Sequence, residues 1–499
     1  MNDTSSGRRG GGGLRAGTLG TFDSVVMAVA GCGPAYTVVA LIPALVASVG
    51  LAAPAALLYG AVPMVGIALA FRHLGRLDVN SGATYSWVAR ALHPTLGFLC
   101  GWAVVVATTL FVIASTTPTG TATLALFDED LAENHVLATT VGLALFLLVA
   151  VLAGSGTRIA AGARVVAVSL QLALLLAVAI LALTRNTHAH AFSLSWFGFG
   201  HFDGTGAFTA AALIVGALYW GWDVTANLSE ETRSGRGGSG LGGVIGLLVV
   251  AATLVTLTVS ANVLLGPDAV TSTDGGFLFQ LGEAAWPGAG GTLLVLAVPL
   301  SMIAVLETTL LQATRTLFAM GRDRTLPSFL GRVHPRWKTP VAATLCVGTF
   351  AVTTLTVTVL TDPGVDILAD ALVGIGLLIA FYYALAGIAV TVAFRSVLRA
   401  TLGNLILLGL WPFLGAAFNI WVFAASLGTL TGAQLTIGLG ALAVGLLPLG
   451  IARIQGGRSF FRPRPLNPKE AADAEAHATD ALPTVGPADS RRDGLLSDF

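Results

Sequence analysis

Apolar runs of about 20 residues, the length a helix needs to cross the hydrocarbon of a bilayer, recur along nearly the whole of this chain. They lie near residues 22–48, 53–72, 96–125, 136–153, 160–183, 207–229, 241–265, 291–318, 341–360, 366–394, 402–426 and 433–453. A segment in hydrocarbon has no water to satisfy its backbone, so runs of this length fold as helices. The expected fold class is an all-α polytopic membrane protein with twelve transmembrane helices. Composition bears on this at one point. Only 10% of the 499 residues are charged, whereas soluble domains carry about 25%. The lipid bilayer is the expected partner, and a formal net charge of zero gives no reason to expect nucleic acid.

The basic residues set the expected orientation, because Lys and Arg favour the cytoplasmic side of the membrane. Loops after the second, fourth, sixth, eighth and tenth runs hold Arg72, Arg76, Arg90, Arg158, Arg164, Arg233, Arg236, Arg322, Arg324, Arg332, Arg336, Lys338, Arg395 and Arg399. The opposite loops hold only Arg185 and carry Asp128, Glu129, Asp130, Glu133, Asp268 and Asp274. Both termini are therefore expected in the cytoplasm, with the chain in the plasma membrane. Residues 1–20 and 456–499 are polar, rich in Gly, Pro or mixed charge, and read as disordered tails. Cys32, Cys100 and Cys346 fall in apolar runs without ligand spacing and read as core residues. His188 and His190 have no third ligand nearby, so no metal and no cofactor is expected.

Two runs are interrupted. The first contains Gly31-Cys32-Gly33-Pro34, where proline removes a backbone donor and the glycines weaken the helix. Taken alone, a proline kink with glycines for close packing explains it equally well. The sixth contains Tyr219-Trp220-Gly221-Trp222-Asp223, which puts a glycine, three aromatics and an acid inside an apolar run. An acid at the centre of a span costs roughly 2.5–3.5 kcal/mol on insertion scales, so it asks for a reason. The first and sixth runs each open a set of five. Weak helices at matching places of two halves point to a transporter binding site. Half-helix amino ends there favour an anion and carbonyl ends an ammonium, which suits an amino acid zwitterion.

Three blocks carry a family resemblance. They are Asn80-Ser81-Gly82-Ala83-Thr84-Tyr85-Ser86-Trp87 with Leu96 to Trp102, then Gly221-Trp222-Asp223 with Leu228 to Thr232, and lastly Ala313-Thr314-Arg315 with Met320 to Asp323, Leu326-Pro327, His334-Pro335 and Thr339-Pro340. In this order they resemble the amino acid–polyamine–organocation superfamily of permeases over most of residues 20–455. The resemblance implies a leucine-transporter-like fold. Two inverted five-helix repeats (21–200 and 201–400) would be followed by two further helices (401–455), with a midplane site between helices 1, 3, 6 and 8. It further implies that substrate meets backbone at Gly31, Cys32, Gly33 and Pro34 and around Trp220 and Gly221, with Tyr219, Trp220 or Trp222 as an aromatic platform. Some proton-coupled members carry a lysine in helix 5. The fifth run here has none, and Gln171 is its nearest polar candidate.

The eighth run adds Glu307. Ser301, Thr308, Gln312 and Arg315 form one polar stripe at 100° per residue, with Glu307 about a third of a turn away. Polar groups on two sectors imply a helix surrounded by protein. Glu307 and Asp223 are candidates for coupling or for pairing with a cationic substrate, and Glu307 is expected without a neighbouring cation, since Arg315 lies eight residues on, about 12 Å along the axis. A protonated Glu307 binding helices together is the plainer alternative. The expected function is a secondary transporter for an amino acid or related amine, working by alternating access and coupled to protons. A non-transporting amino acid sensor is an alternative, as are polyamines or other organic cations as substrate. No catalytic motif stands in the runs, so an enzyme is not expected.

Overall fold

The computed structural model of the protein describes residues 13–156, 158–184, 189–233, 237–272, 276–361, 364–455 and 459–468, with the side chains of 158–161 and 364–369 left aside. Every apolar run becomes helix. The first forms α1 (Thr21–Cys32) and α2 (Pro34–Val49), and the second α3 (Ala53–Leu77). An amphipathic connector, α4 (Thr84–Ala91), leads into α5 (Pro94–Leu124), α6 (His135–Ser155) and α7 (Arg158–Thr184). The sixth run gives α8 (Gly204–Leu218) and the single turn α9 (Val224–Asn227). Then follow α10 (Gly238–Leu264), α11 (Gly290–Arg322), α12 (Val341–Thr361), α13 (Gly364–Ala393), α14 (Leu402–Thr429) and α15 (Gly432–Gln455).

Among the described residues, ten stretches are long and apolar enough to cross a membrane, against the twelve expected. The difference arises where helices break. Thr21–Leu77 counts as one stretch, and the sixth run stops as a shorter apolar helix at Leu218. The lone β-bridge among the described residues joins Leu19 to Thr232.

Burial sorts the helices into an inner and an outer set. The most apolar windows of α5 and α13 are 72% buried, whereas that of α15 is 22% buried. The inner helix α11 packs on α1, α2, α5, α6 and α7. Its stripe residues Ser301, Thr308, Gln312 and Arg315 are all buried, as expected for a helix enclosed by protein. Cys32 and Cys100 are buried free thiols, but Cys346 is exposed, because it stands on the peripheral α12.

Parts of both expected tails are folded. Thr18 and Leu19 donate their amides to Glu231 O (2.9 and 3.1 Å), and Arg233 N donates to Leu19 O (2.8 Å), so the strap before α1 is tied to the end of the sixth run. Phe460 is buried and stacks on Tyr85 with centroids 4.5 Å apart. Aromatic area explains that docking, which a reading of charge and proline content overlooks. The rest of the expected tails, residues 1–12, 456–458 and 469–499, lies outside the described residues, as do Arg185, His188, Arg236 and Asp274.

Candidate functional site

Helix α1 ends because Gly33 turns into the left-handed region (φ 53°), donating its N–H to Val29 O and Ala30 O. Pro34, with fixed φ and no N–H to lose, opens α2. In the sixth run α8 ends at Leu218, and the chain passes through Gly221 at φ 105° before α9 resumes at Val224.

The two breaks meet backbone to backbone. A Cβ added to Gly31 would stand 2.1 Å from Gly221 O, and one added to Gly221 would stand 2.2 Å from Gly31 O. Both obstacles are main chain, so neither can swing aside, and only glycine fits at either position. Helix α11 closes over this crossing. A Cβ on Gly33 would meet Val305 Cγ2 at 2.2 Å, so the space beside Gly33 is filled by α11. Ser301 Oγ accepts a hydrogen bond from Tyr36 N (3.3 Å), and Thr37 Oγ1 bonds to Cys32 O and Gly33 O (2.6 and 2.5 Å).

Of the three aromatics from Tyr219 to Trp222, only Trp220 turns toward α5. Its ring meets Phe111 of α5 edge-on at 5.2 Å, and Phe111 in turn meets Tyr36 of α2 at 6.1 Å. Tyr219 is fully buried with its hydroxyl donating to Leu57 O of α3 (2.9 Å). Trp222 is wedged between Phe71 of α3 (5.1 Å) and Tyr383 of α13 (5.7 Å). Neighbouring residues on an unwound segment point in different directions, which separates these three roles. The residues that come together beside the crossing are thus Tyr36, Phe111, Trp220 and Ser301, from the first, third, sixth and eighth runs.

Asp223 lies directly behind Trp220 and is 1% exposed. Its Oδ2 accepts from Gln312 Nε2 (2.8 Å) and from the Tyr382 hydroxyl (3.0 Å), and that hydroxyl accepts from Trp220 Nε1 (2.7 Å). Oδ1 has no hydrogen-bond partner among the described residues. A chain of hydrogen bonds therefore runs from the aromatic ring at the crossing through the Tyr382 hydroxyl to a buried carboxylate. No ion pair to Asp223 is present among the described residues.

Toward the end that carries the basic loops, four acids are paired with arginines. Glu307 is not isolated as expected: Arg164 of α7 holds both its oxygens, Nε to Oε2 at 2.9 Å and Nη2 to Oε1, and Nη1 reaches Met27 Sδ at 2.9 Å. Arg164 falls six residues inside α7 rather than in the preceding loop, which is what brings it to α11. Arg315 pairs with Glu231 (2.9 Å), Arg322 with Glu230 (2.9 Å) and Arg90 with Asp78 (2.9 Å). Burial pushes the carboxyl of Asp323, in the loop after α11, above the ordinary carboxylate value, and the adjacent Arg322 partly offsets this. A cavity of about 460 Å³ opens beside the Arg164–Glu307 and Arg315–Glu231 pairs, reaching from Arg15 and Trp337 to Met27 and Glu307. Met27 is four residues before Gly31, about 6 Å along the helix axis at 1.5 Å per residue.

The amino acid permease family matches residues 19–446 of the chain. This protein belongs to the amino acid permease family.

The permease is 32% identical over 146 residues to a branched-chain amino acid permease of Bacillus subtilis, covering 29% of this chain and 31% of that protein. It is 28% identical over 211 residues to a low-affinity putrescine importer of Escherichia coli (37% of this chain, 44% of the relative). It is also 28% identical over 156 residues to a methylthioribose transporter of Bacillus subtilis (31% and 33%). Each alignment thus spans less than half of the curated relative. The family and these relatives are transporters rather than enzymes.

The three sequence blocks that carry the resemblance converge in the permease at its ion-paired end. Ser81 N donates to Glu230 Oε1 (2.8 Å), Asn227 Nδ2 bridges Ser81 O (2.8 Å) and Thr316 Oγ1 (3.0 Å), and Arg322 reaches both Glu230 and Asn80. Reading the sequence missed Tyr382, Phe111 and the pairing role of Arg164. Tyr382 did leave a signal, since two of only six tyrosines stand side by side in the apolar tenth run. His190, the described one of the two outer-loop histidines, donates its backbone N–H to Val263 O.

Proposed function

We propose that this permease moves an amino acid or a related amine across the plasma membrane by alternating access around the crossing of the two broken helices. The observation that carries the reading is the reciprocal fit of Gly31 and Gly221, which puts the exposed backbone of two half-helices in one place inside the protein. Unwound backbone at membrane depth is tolerated only where it is buried in protein or lines a cavity. The amino end of α2 suits a carboxylate, the carbonyl ends of α1 and α8 suit an ammonium, and Trp220 supplies an aromatic face for either side chain or cation.

In this proposal the transport cycle is coupled to protons through Asp223. A fully buried carboxylate with no ion-pair partner among the described residues is costly when charged, which suits Asp223 to carry a proton. A substrate that displaces Trp220 disturbs the Tyr382 hydroxyl, and through it Asp223. Glu307 acts as half of a lock with Arg164 rather than as a free counter-ion. The helix arrangement is taken as twelve spans in two inverted sets, 21–200 and 201–400, plus two, with both termini cytoplasmic as the basic loops favour.

Uptake of radiolabelled branched-chain amino acids and putrescine into proteoliposomes, under imposed pH or sodium gradients, tests the reading. Accumulation driven by an inward proton gradient supports it. Saturable binding without any uptake, in vesicles where the protein is folded, would favour a sensor instead.

A further inference from the structure

We propose that the cavity among the ion pairs is a binding site for a carboxylate, occupied by the carboxylate end of the substrate on its way to or from the crossing. The proposal rests on the transport reading for the source of the ligand, though not for the site itself.

The cavity wall carries six charged side chains: Arg15, Arg164, Arg233 and Arg315 against Glu231 and Glu307. Arg164 and Arg315 are consumed by Glu307 and Glu231. That leaves two guanidinium groups, Arg15 and Arg233, unmatched at the rim. Arg15 makes no side-chain hydrogen bond or ion pair among the described residues, and Arg233 spends only Nε, on Gly17 O at 3.2 Å. Both are exposed to the cavity mouth, while the floor is apolar at Met27, Leu228 and Leu311. A cleft of one excess sign with low-dielectric walls concentrates ions of the other sign. A guanidinium presents paired N–H groups that fit the two oxygens of a carboxylate.

The strap fixes where this excess sits. Leu19 is bridged to Thr232, and the hydrogen bonds of Thr18, Leu19 and Arg233 hold Arg15 and Arg233 on one side of the opening. The volume, about 460 Å³, is of the size that holds a small molecule. Glu231 and Glu307 are already matched by Arg315 and Arg164, so the wall presents two spare guanidiniums, whose paired N–H groups suit the two oxygens of a carboxylate. The excess positive charge works against a polyamine, whose several ammonium groups would face the two unmatched guanidiniums. Between the amino acid and the polyamine named among the relatives, the cavity therefore favours the amino acid.

The test uses the full-length protein purified in detergent and follows its thermal unfolding during titration with propionate, propionamide, putrescine and sodium chloride at matched ionic strength. Propionate is expected to stabilise the parent protein, while propionamide and putrescine do not. Arg15→Gln/Arg233→Gln should weaken the propionate effect by roughly tenfold or more, as loss of charge-assisted hydrogen bonds implies. Both positions are at the rim, so the double variant folds, and a single Arg233→Lys should keep part of the effect. In proteoliposomes, competition by propionate with amino acid exchange from the cavity side identifies the substrate's own carboxylate as the ligand. Stabilisation without competition assigns the site to free carboxylates in solution. The proposal is overturned if propionate acts no better than chloride, or if the double variant titrates like the parent. A protein that binds propionate through these arginines but moves no amino acid sinks the transport reading alone.

Discussion

Two regions of this permease treat polar groups in opposite ways. At the crossing of the broken helices, Asp223 Oδ1 and Trp222 Nε1 are buried without a partner among the described residues. Toward the end with the basic loops, Glu307, Glu231, Glu230 and Asp78 are each held by an arginine. Buried polar atoms are normally satisfied, and an exception points to a ligand, a proton or a water that completes it. The two buried pairs, Arg164–Glu307 and Arg315–Glu231, are by contrast expensive to open because each half is left uncompensated. The first region is thus arranged to receive something, and the second to hold helices in one arrangement until the charges are exchanged.

The sharpest way to break this contrast is at the glycines. Gly31→Ala or Gly221→Ala puts a Cβ within 2.1–2.2 Å of backbone, so the helices must part. Transport should be abolished, measured as both gradient-driven uptake and substrate exchange. Normal exchange by either variant would show that the close approach is dispensable. A smaller effect is expected in the ion-paired layer. Arg164→Met leaves Glu307 buried without its partner and should cost about 3–5 kcal/mol of stability, seen as a lower unfolding temperature in detergent. Adding Glu307→Gln to it should restore most of the loss. An Arg164→Met protein as stable as the parent would remove the layer's locking role. The smallest effect is expected for Trp220→Phe, which keeps the ring against Phe111 but deletes the hydrogen bond to Tyr382. One neutral hydrogen bond is worth roughly 0.5–1.5 kcal/mol, so the apparent KM should rise about two- to tenfold.

Much of this arrangement is legible in the sequence, for reasons that differ by region. The helices follow from apolar length, because hydrocarbon leaves the backbone no alternative. The breaks follow from Gly31-Cys32-Gly33-Pro34 and from Gly221 among aromatics, because backbone chemistry is local. The stripe of Ser301, Thr308, Gln312 and Arg315 announces that α11 is enclosed. What stays hidden depends on distance along the chain. Arg164 and Glu307 are 143 residues apart, and Tyr382 and Asp223 159, so no local pattern pairs them. The same limit explains why Trp222 looks like Trp220 in sequence although one packs into the scaffold and the other faces the crossing. The strap at 17–20 escapes notice because its hydrogen bonds are made by backbone, to which composition is blind.

Asp223→Asn puts the central claim to its most direct trial. The amide keeps the shape beside Gln312 and Tyr382 and cannot carry a proton. In proteoliposomes with an inward proton gradient, the account predicts that the variant still exchanges labelled for unlabelled amino acid but no longer accumulates it. Accumulation by Asp223→Asn equal to that of the parent, at every imposed pH difference, would contradict the account and leave the buried carboxylate a structural group.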